Sequence, residues 1–121
     1  MNESLNILIS KLNRQLNEFD VHLHTVRHQK QELELHFQQI EERINQPVSN
    51  SLIVNPVSEI NWLNFITQQQ EKKEVVTLDL KNCQDLENKL EEKITRVQKE
   101  LKMIEHYLER EEKHQKKRAL G

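Results

Sequence analysis

Apolar residues recur along the first third of the chain at alternating spacings of four and three. Leu5, Ile9, Leu12, Leu16, Phe19, Leu23, Val26, Leu33, Phe37, Ile40 and Ile44 follow this rhythm, with Lys30 the one polar member. A 3.5-residue period is the signature of a coiled-coil seam, narrower than the face of a globular helix. A helix cannot bury such a stripe against itself, so the pattern requires a partner helix. A second seam supplies one: Trp62, Ile66, Gln69, Lys73, Val76, Leu80, Cys83, Glu87, Leu90, Ile94, Val97, Leu101, Ile104 and Leu108.

Between the seams lies the only stretch with turn chemistry, QPVSNSLIVNPV at residues 46–57. Pro47 disfavours the α conformation before it, and Pro56 after Asn55 suits the first position of a new helix. The predicted organisation is one domain over residues 1–121. It has a helix over about 3–45, a loop over about 46–57 and a helix over about 58–118. Leu52-Ile53-Val54 is expected to tuck against the helix ends. The fold class is all-α, a long two-helix antiparallel coiled-coil hairpin. The short loop favours pairing within the chain, because closing it costs little entropy. Two registers one heptad apart suit the loop; the preferred one places Phe37 beside Trp62 and Lys30 beside Gln69, gathering polar seam residues in one layer. That register sets Leu5 near Ile94, so Leu101, Ile104 and Leu108 are expected to overhang the first helix, uncovered.

Composition narrows the class. The 121 residues include one Gly, two Pro and one Cys, and 31% are charged. Catalytic loops use backbone angles that this composition scarcely provides. A net charge of −2 argues against nucleic-acid or anionic-membrane binding. No apolar run approaches the roughly 20 residues of a membrane span, and the N-terminus lacks a signal-peptide pattern. The lone Cys83 excludes an internal disulfide and fits a reducing compartment. The expected protein is soluble, cytoplasmic and not an enzyme, with no cofactor.

Candidate chemistry is sparse. His24, His28, Glu32 and His36 stand four apart on one helix flank, a spacing that can share a metal. No HExxH and no cysteine pair accompany them, so solvated histidines are expected. Cys83, at a d position, is expected to act as a small buried hydrophobe. Lys30, Gln69, Lys73 and Glu87 interrupt the seams; they either fix register or send their polar ends to water. Ile7, Val21 and Leu35 share an outward f position. More informative is Ile60-Asn61-Trp62-Leu63-Asn64-Phe65-Ile66, where Leu63 and Phe65 widen the apolar face beyond what two helices need. Two aromatics on a widened face resemble an interface hot spot; the other reading is that Leu63 and Phe65 cover the loop at Leu52–Val54.

These features together resemble the flagellar FliJ and YscO-type stalk proteins of bacterial type III export. The resemblance rests on two long helices, a Pro/Ser/Asn break, and I-N-x-x-x-F-I opening a second helix rich in Gln, Glu and Lys. It covers most of the chain and is sharpest at residues 60–66. It implies a stalk that links the export ATPase hexamer to the export gate membrane protein of the FlhA type and promotes ATPase activity. It also implies a cytoplasmic location, peripheral at the inner-membrane export apparatus without membrane insertion, with export chaperones as further partners. Carried over by residue, Ile60, Asn61, Trp62, Phe65 and Ile66 form the gate side. Leu101, Ile104, Tyr107 and Leu108 are expected on the ATPase side. Family members usually continue well past the point where this sequence stops. A prefoldin-like coiled-coil chaperone is the alternative, needing a β-hairpin between the helices, and a homodimeric tether is a third.

Overall fold

A computed structural model describes residues 2–46 and 56–120. The protein is all-α: helix α1 spans Asn2–Ile44, helix α2 spans Pro56–Leu120, and the two pack against each other. Helix α2 opens at the proline, which has no N–H to lose in a first turn. Past Ile44, the Asn45 N–H donates to the Glu41 carbonyl at 2.9 Å, a last helical bond before the turn. Pro47 and the run Leu52–Val54 lie outside the described residues, as does most of the stretch a prefoldin-like hairpin would use. No described helix is long and apolar enough to cross a membrane.

Contacts divide the chain into two units, each an antiparallel pair of helix segments. The first joins Met1–Thr25 to Glu87–Gly121. Its interior is Leu12, Leu23, Leu90 and Val97, all buried. Leu5, Ile9, Leu16, Phe19, Ile94, Leu101, Ile104 and Leu108 are half-buried along the same line. Lys93 Nζ sits 5.7 Å above the Phe19 ring, which sets the register here. By heptad steps, that contact brings Leu5 level with Leu108.

The second unit, Val26–Leu86, is built around Val26, Ile40 and Val76, with Ile40 wholly enclosed. Leu33, Phe37, Ile44, Trp62, Ile66, Leu80 and Cys83 are half-buried. Here Lys30 Nζ donates to Gln84 Oε1 at 2.7 Å, and Lys73 Nζ lies 3.3 Å from Glu41 Oε1.

These contacts correct the expected register. Lys30 is level with Gln84 rather than Gln69, a displacement of about two heptads. Such a shift keeps every a and d residue facing its partner helix, so the heptad pattern does not resist it. The consequence at the C-terminal end is direct. Leu101, Ile104 and Leu108 are half-buried within the first unit, not an uncovered overhang. In the second unit it is the start of α2 that runs past the last turn of α1. Ile44 falls near Gln69, leaving Pro56 to about Gln68, roughly 20 Å of helix, beyond it.

Candidate interaction surface

The segment that runs past α1 contains the Ile60–Ile66 motif. Ile60, Asn61 and Leu63 are exposed, whereas Trp62, Phe65 and Ile66 are half-buried. Trp62 and Phe65 are three residues apart and so meet on one side of the helix. Their ring centroids are 5.7 Å apart with planes tilted by 31°. This spacing is within the range of favourable aromatic pairs. The pair is a preformed apolar block; exposed Leu63 lies across the seam from Phe65, and Ile60 stands on the far side of the helix from both rings. Asn61 and Asn64 give its rim hydrogen-bonding groups without charge, and Glu59 is the only ionised residue between Pro56 and Gln70. Such a surface offers shape and apolar area rather than electrostatic steering.

The other expected surface is divided by the structure. Leu101, Ile104 and Leu108 belong to the helix pair, and Tyr107 is exposed, its hydroxyl donating to Glu111 Oε1 at 3.4 Å. Met103 is exposed beside them. Beyond Leu108 the helix surface is charged, with Arg110, Lys113, Lys116, Lys117 and Arg118 against Glu109, Glu111 and Glu112. Lys116 pairs with Glu112 at 3.8 Å, one turn apart. Exposed pairs of this kind add little stability. The arrangement is an ionic surface, with its most basic end at residues 113–118.

The polar seam residues resolve individually. Lys30 and Lys73 turn their ammonium groups to polar partners on the facing helix; Lys73 also lies 5.4 Å over the Phe37 ring. Both keep their methylene stems along the seam, as long cationic side chains do. Gln69 behaves differently: only 3% exposed, its Oε1 accepts no hydrogen bond among the described residues. An unsatisfied buried polar group of this kind costs about 1–3 kcal/mol.

The histidine row remains on the surface. His28 Nε2 lies 3.1 Å from Glu32 Oε1, with both side chains largely exposed. Among the described residues, no group of three or more His, Cys, Asp or Glu could hold a metal ion. Cys83 is half-buried rather than fully enclosed, and it lines a shallow groove with Leu33, His36, Asp79 and Asn82. Ile7, Val21 and Leu35 are exposed. Sequence reasoning overlooked a further set, Val57, Val75 and Leu78, which the structure leaves on the outer face of α2. Their signal was a second three-and-four spacing outside the seam. No protein-family model matches the chain, and no curated protein or solved structure is significantly similar to it.

Proposed function

We propose that the chain is a stalk-like component of a bacterial flagellar or type III protein export apparatus, linking the export ATPase ring to the export gate and promoting ATPase activity. The observation that carries this reading is the I-N-x-x-x-F-I segment and its placement. Ile60 to Ile66 lies where α2 runs past α1, with the Trp62–Phe65 block accessible from the side. A partner protein would bury Trp62 and Phe65 together, the kind of aromatic anchor that dominates interface energies, whereas Ile60 stands on the far side of the helix. At the other end of α2, the basic residues Lys113, Lys116, Lys117 and Arg118 suit an acidic rim on an ATPase ring, and they also complement the helix dipole. Since Leu101, Ile104 and Leu108 serve the helix pair, the ATPase contact falls to Tyr107 and the ionic surface after it. The protein works by holding two surfaces on paired helices and performs no chemistry of its own.

The test is co-purification. The full chain is mixed separately with an export ATPase and with the soluble domain of a gate protein, and stimulation of ATP hydrolysis is measured. Retention by both proteins together with faster hydrolysis is the expected result. Failure to bind either protein would remove the export reading.

A further inference from the structure

Helix α2 carries a second stripe within the Val26–Leu86 unit, on the side away from α1. Val57, Ile60, Asn64, Thr67, Glu71, Val75 and Leu78 recur at spacings of three and four. At 100° per residue they fall within an arc of roughly 80°. All seven are exposed, with Val57 at 66%, Ile60 at 59%, Val75 at 59% and Leu78 at 58%. Farther along the same face of this unit stand Asn82 and Asp85, so the apolar character fades after Leu78 apart from Leu86 at its edge.

The order of this stripe is the decisive observation. Read from either end it runs apolar, apolar, polar, threonine, polar, apolar, apolar, symmetric about the Thr67–Gln68 bond. A contact across a two-fold axis requires a surface complementary to itself, with residue i meeting j while j meets i. Laid antiparallel on a second copy, Val57 comes level with Leu78 of that copy, Ile60 with Val75 and Asn64 with Glu71. Every apolar residue then meets an apolar one. The single charge of the stripe, Glu71, meets an amide that can donate to it rather than its own like charge. Thr67, beside the axis, already donates its hydroxyl to the Leu63 carbonyl at 2.8 Å. Its burial therefore leaves no unsatisfied donor, and its methyl group is available for packing.

We propose that this outer face of α2 is the surface by which two copies of the chain pair, antiparallel about a two-fold axis beside Thr67. The inference rests on the stripe alone and is independent of the export reading. Glu71 is the one charge within the stripe from Val57 to Leu78, with Glu74 just outside its edge, so a partner of strong charge has little to engage there, which favours the chain's own copy. The contact is roughly 30 Å long and one helix wide. That is small beside the roughly 1,200–2,000 Å² of a stable complex, so pairing is concentration-dependent.

The experiment is sedimentation of the full chain from about 1 µM to a few hundred micromolar, joined to cross-linking in a Cys83→Ser background. The mass is expected to rise with concentration from 14.6 kDa toward twice that value. Ile60→Lys with Val75→Lys, at exposed positions, should hold the mass at one chain with helix content unchanged. Thr67→Cys should cross-link to its own copy through a short bismaleimide. Val57→Cys alone should not, since its counterpart would lie roughly 30 Å away along the pair. Val57→Cys mixed with Leu78→Cys should cross-link. A mass of one chain throughout overturns the proposal. So does pairing that survives the double lysine variant, or efficient self-cross-linking of Val57→Cys, which would mean parallel alignment.

Discussion

Lys30 on α1 donates a 2.7 Å hydrogen bond to Gln84 Oε1, 54 positions further along the chain on α2. The bond is part-buried, and it ties a polar seam residue to one particular partner. Heptad repeats tolerate slippage by whole heptads; a directional bond between two named residues does not. A double-mutant cycle of Lys30→Met with Gln84→Ala is expected to give a coupling of about 0.5–1.5 kcal/mol in denaturant unfolding. The same cycle of Lys30→Met with Gln69→Ala should give none. Coupling to Gln69 instead would restore the register that groups the polar seam residues.

Gln69 is the clearest point at which stability has been forgone. Gln69→Leu removes the unsatisfied Oε1 and keeps a similar volume at a buried d position. It should raise stability by about 1–3 kcal/mol, visible as a thermal midpoint several degrees higher. A lower midpoint would mean that the amide has a partner in solution.

Ile40 is wholly enclosed, so truncation leaves a cavity that two helices cannot close completely. Ile40→Ala is expected to cost about 2–5 kcal/mol. Ile7→Ala, at an exposed position, should change stability by less than about 0.5 kcal/mol. The contrast is read from urea midpoints measured side by side.

Leu101→Asp with Leu108→Asp tests the corrected register. Both residues are half-buried in the first unit, so two carboxylates there should cost at least about 2 kcal/mol and lower the thermal midpoint. An unchanged midpoint would show that these leucines pack against nothing.

Phe65→Ala tests the export reading at its anchor. The ring is half-buried against Trp62, and a hot-spot aromatic typically contributes about 2 kcal/mol or more to binding. Affinity for a gate protein should fall at least tenfold, measured by calorimetry, with helix content retained. Equal affinity would take Phe65 out of the interface.

The pattern of apolar positions revealed which residues face inward and little about which residue they face. Leu5 through Ile44 and Trp62 through Leu108 occupy seam positions in the sequence, and each of them is buried or half-buried in the structure. That reading works because a 3.5-residue period has one physical explanation. Register was less legible. Shifting α2 by two heptads exchanges one set of a and d residues for another of the same kind, and only polar side chains distinguish them. Pairing Lys30 with another seam residue overlooked the reach of its side chain, which extends out of the seam to Gln84 at the flank. The Ile60–Ile66 segment stood out through its excess of apolar residues. Its position past α1 depends on register, and the expected overhang was accordingly placed at the wrong end. The outer stripe of Val57, Ile60, Val75 and Leu78 was present in the spacing but hidden by polar residues between its two halves.

The described backbone has no cis peptide and no residue at positive φ. No position inside either helix depends on the conformational licence of glycine or on a fixed proline ring. What the architecture requires of its residues is therefore size and polarity at about two positions in seven, with few demands on exact identity. A scaffold of this kind permits rapid divergence: most surface positions are interchangeable, and seam positions accept any aliphatic side chain of suitable bulk. Two chains can share this geometry after nearly all trace of common spelling has been erased, and their kinship would then survive in rhythm alone.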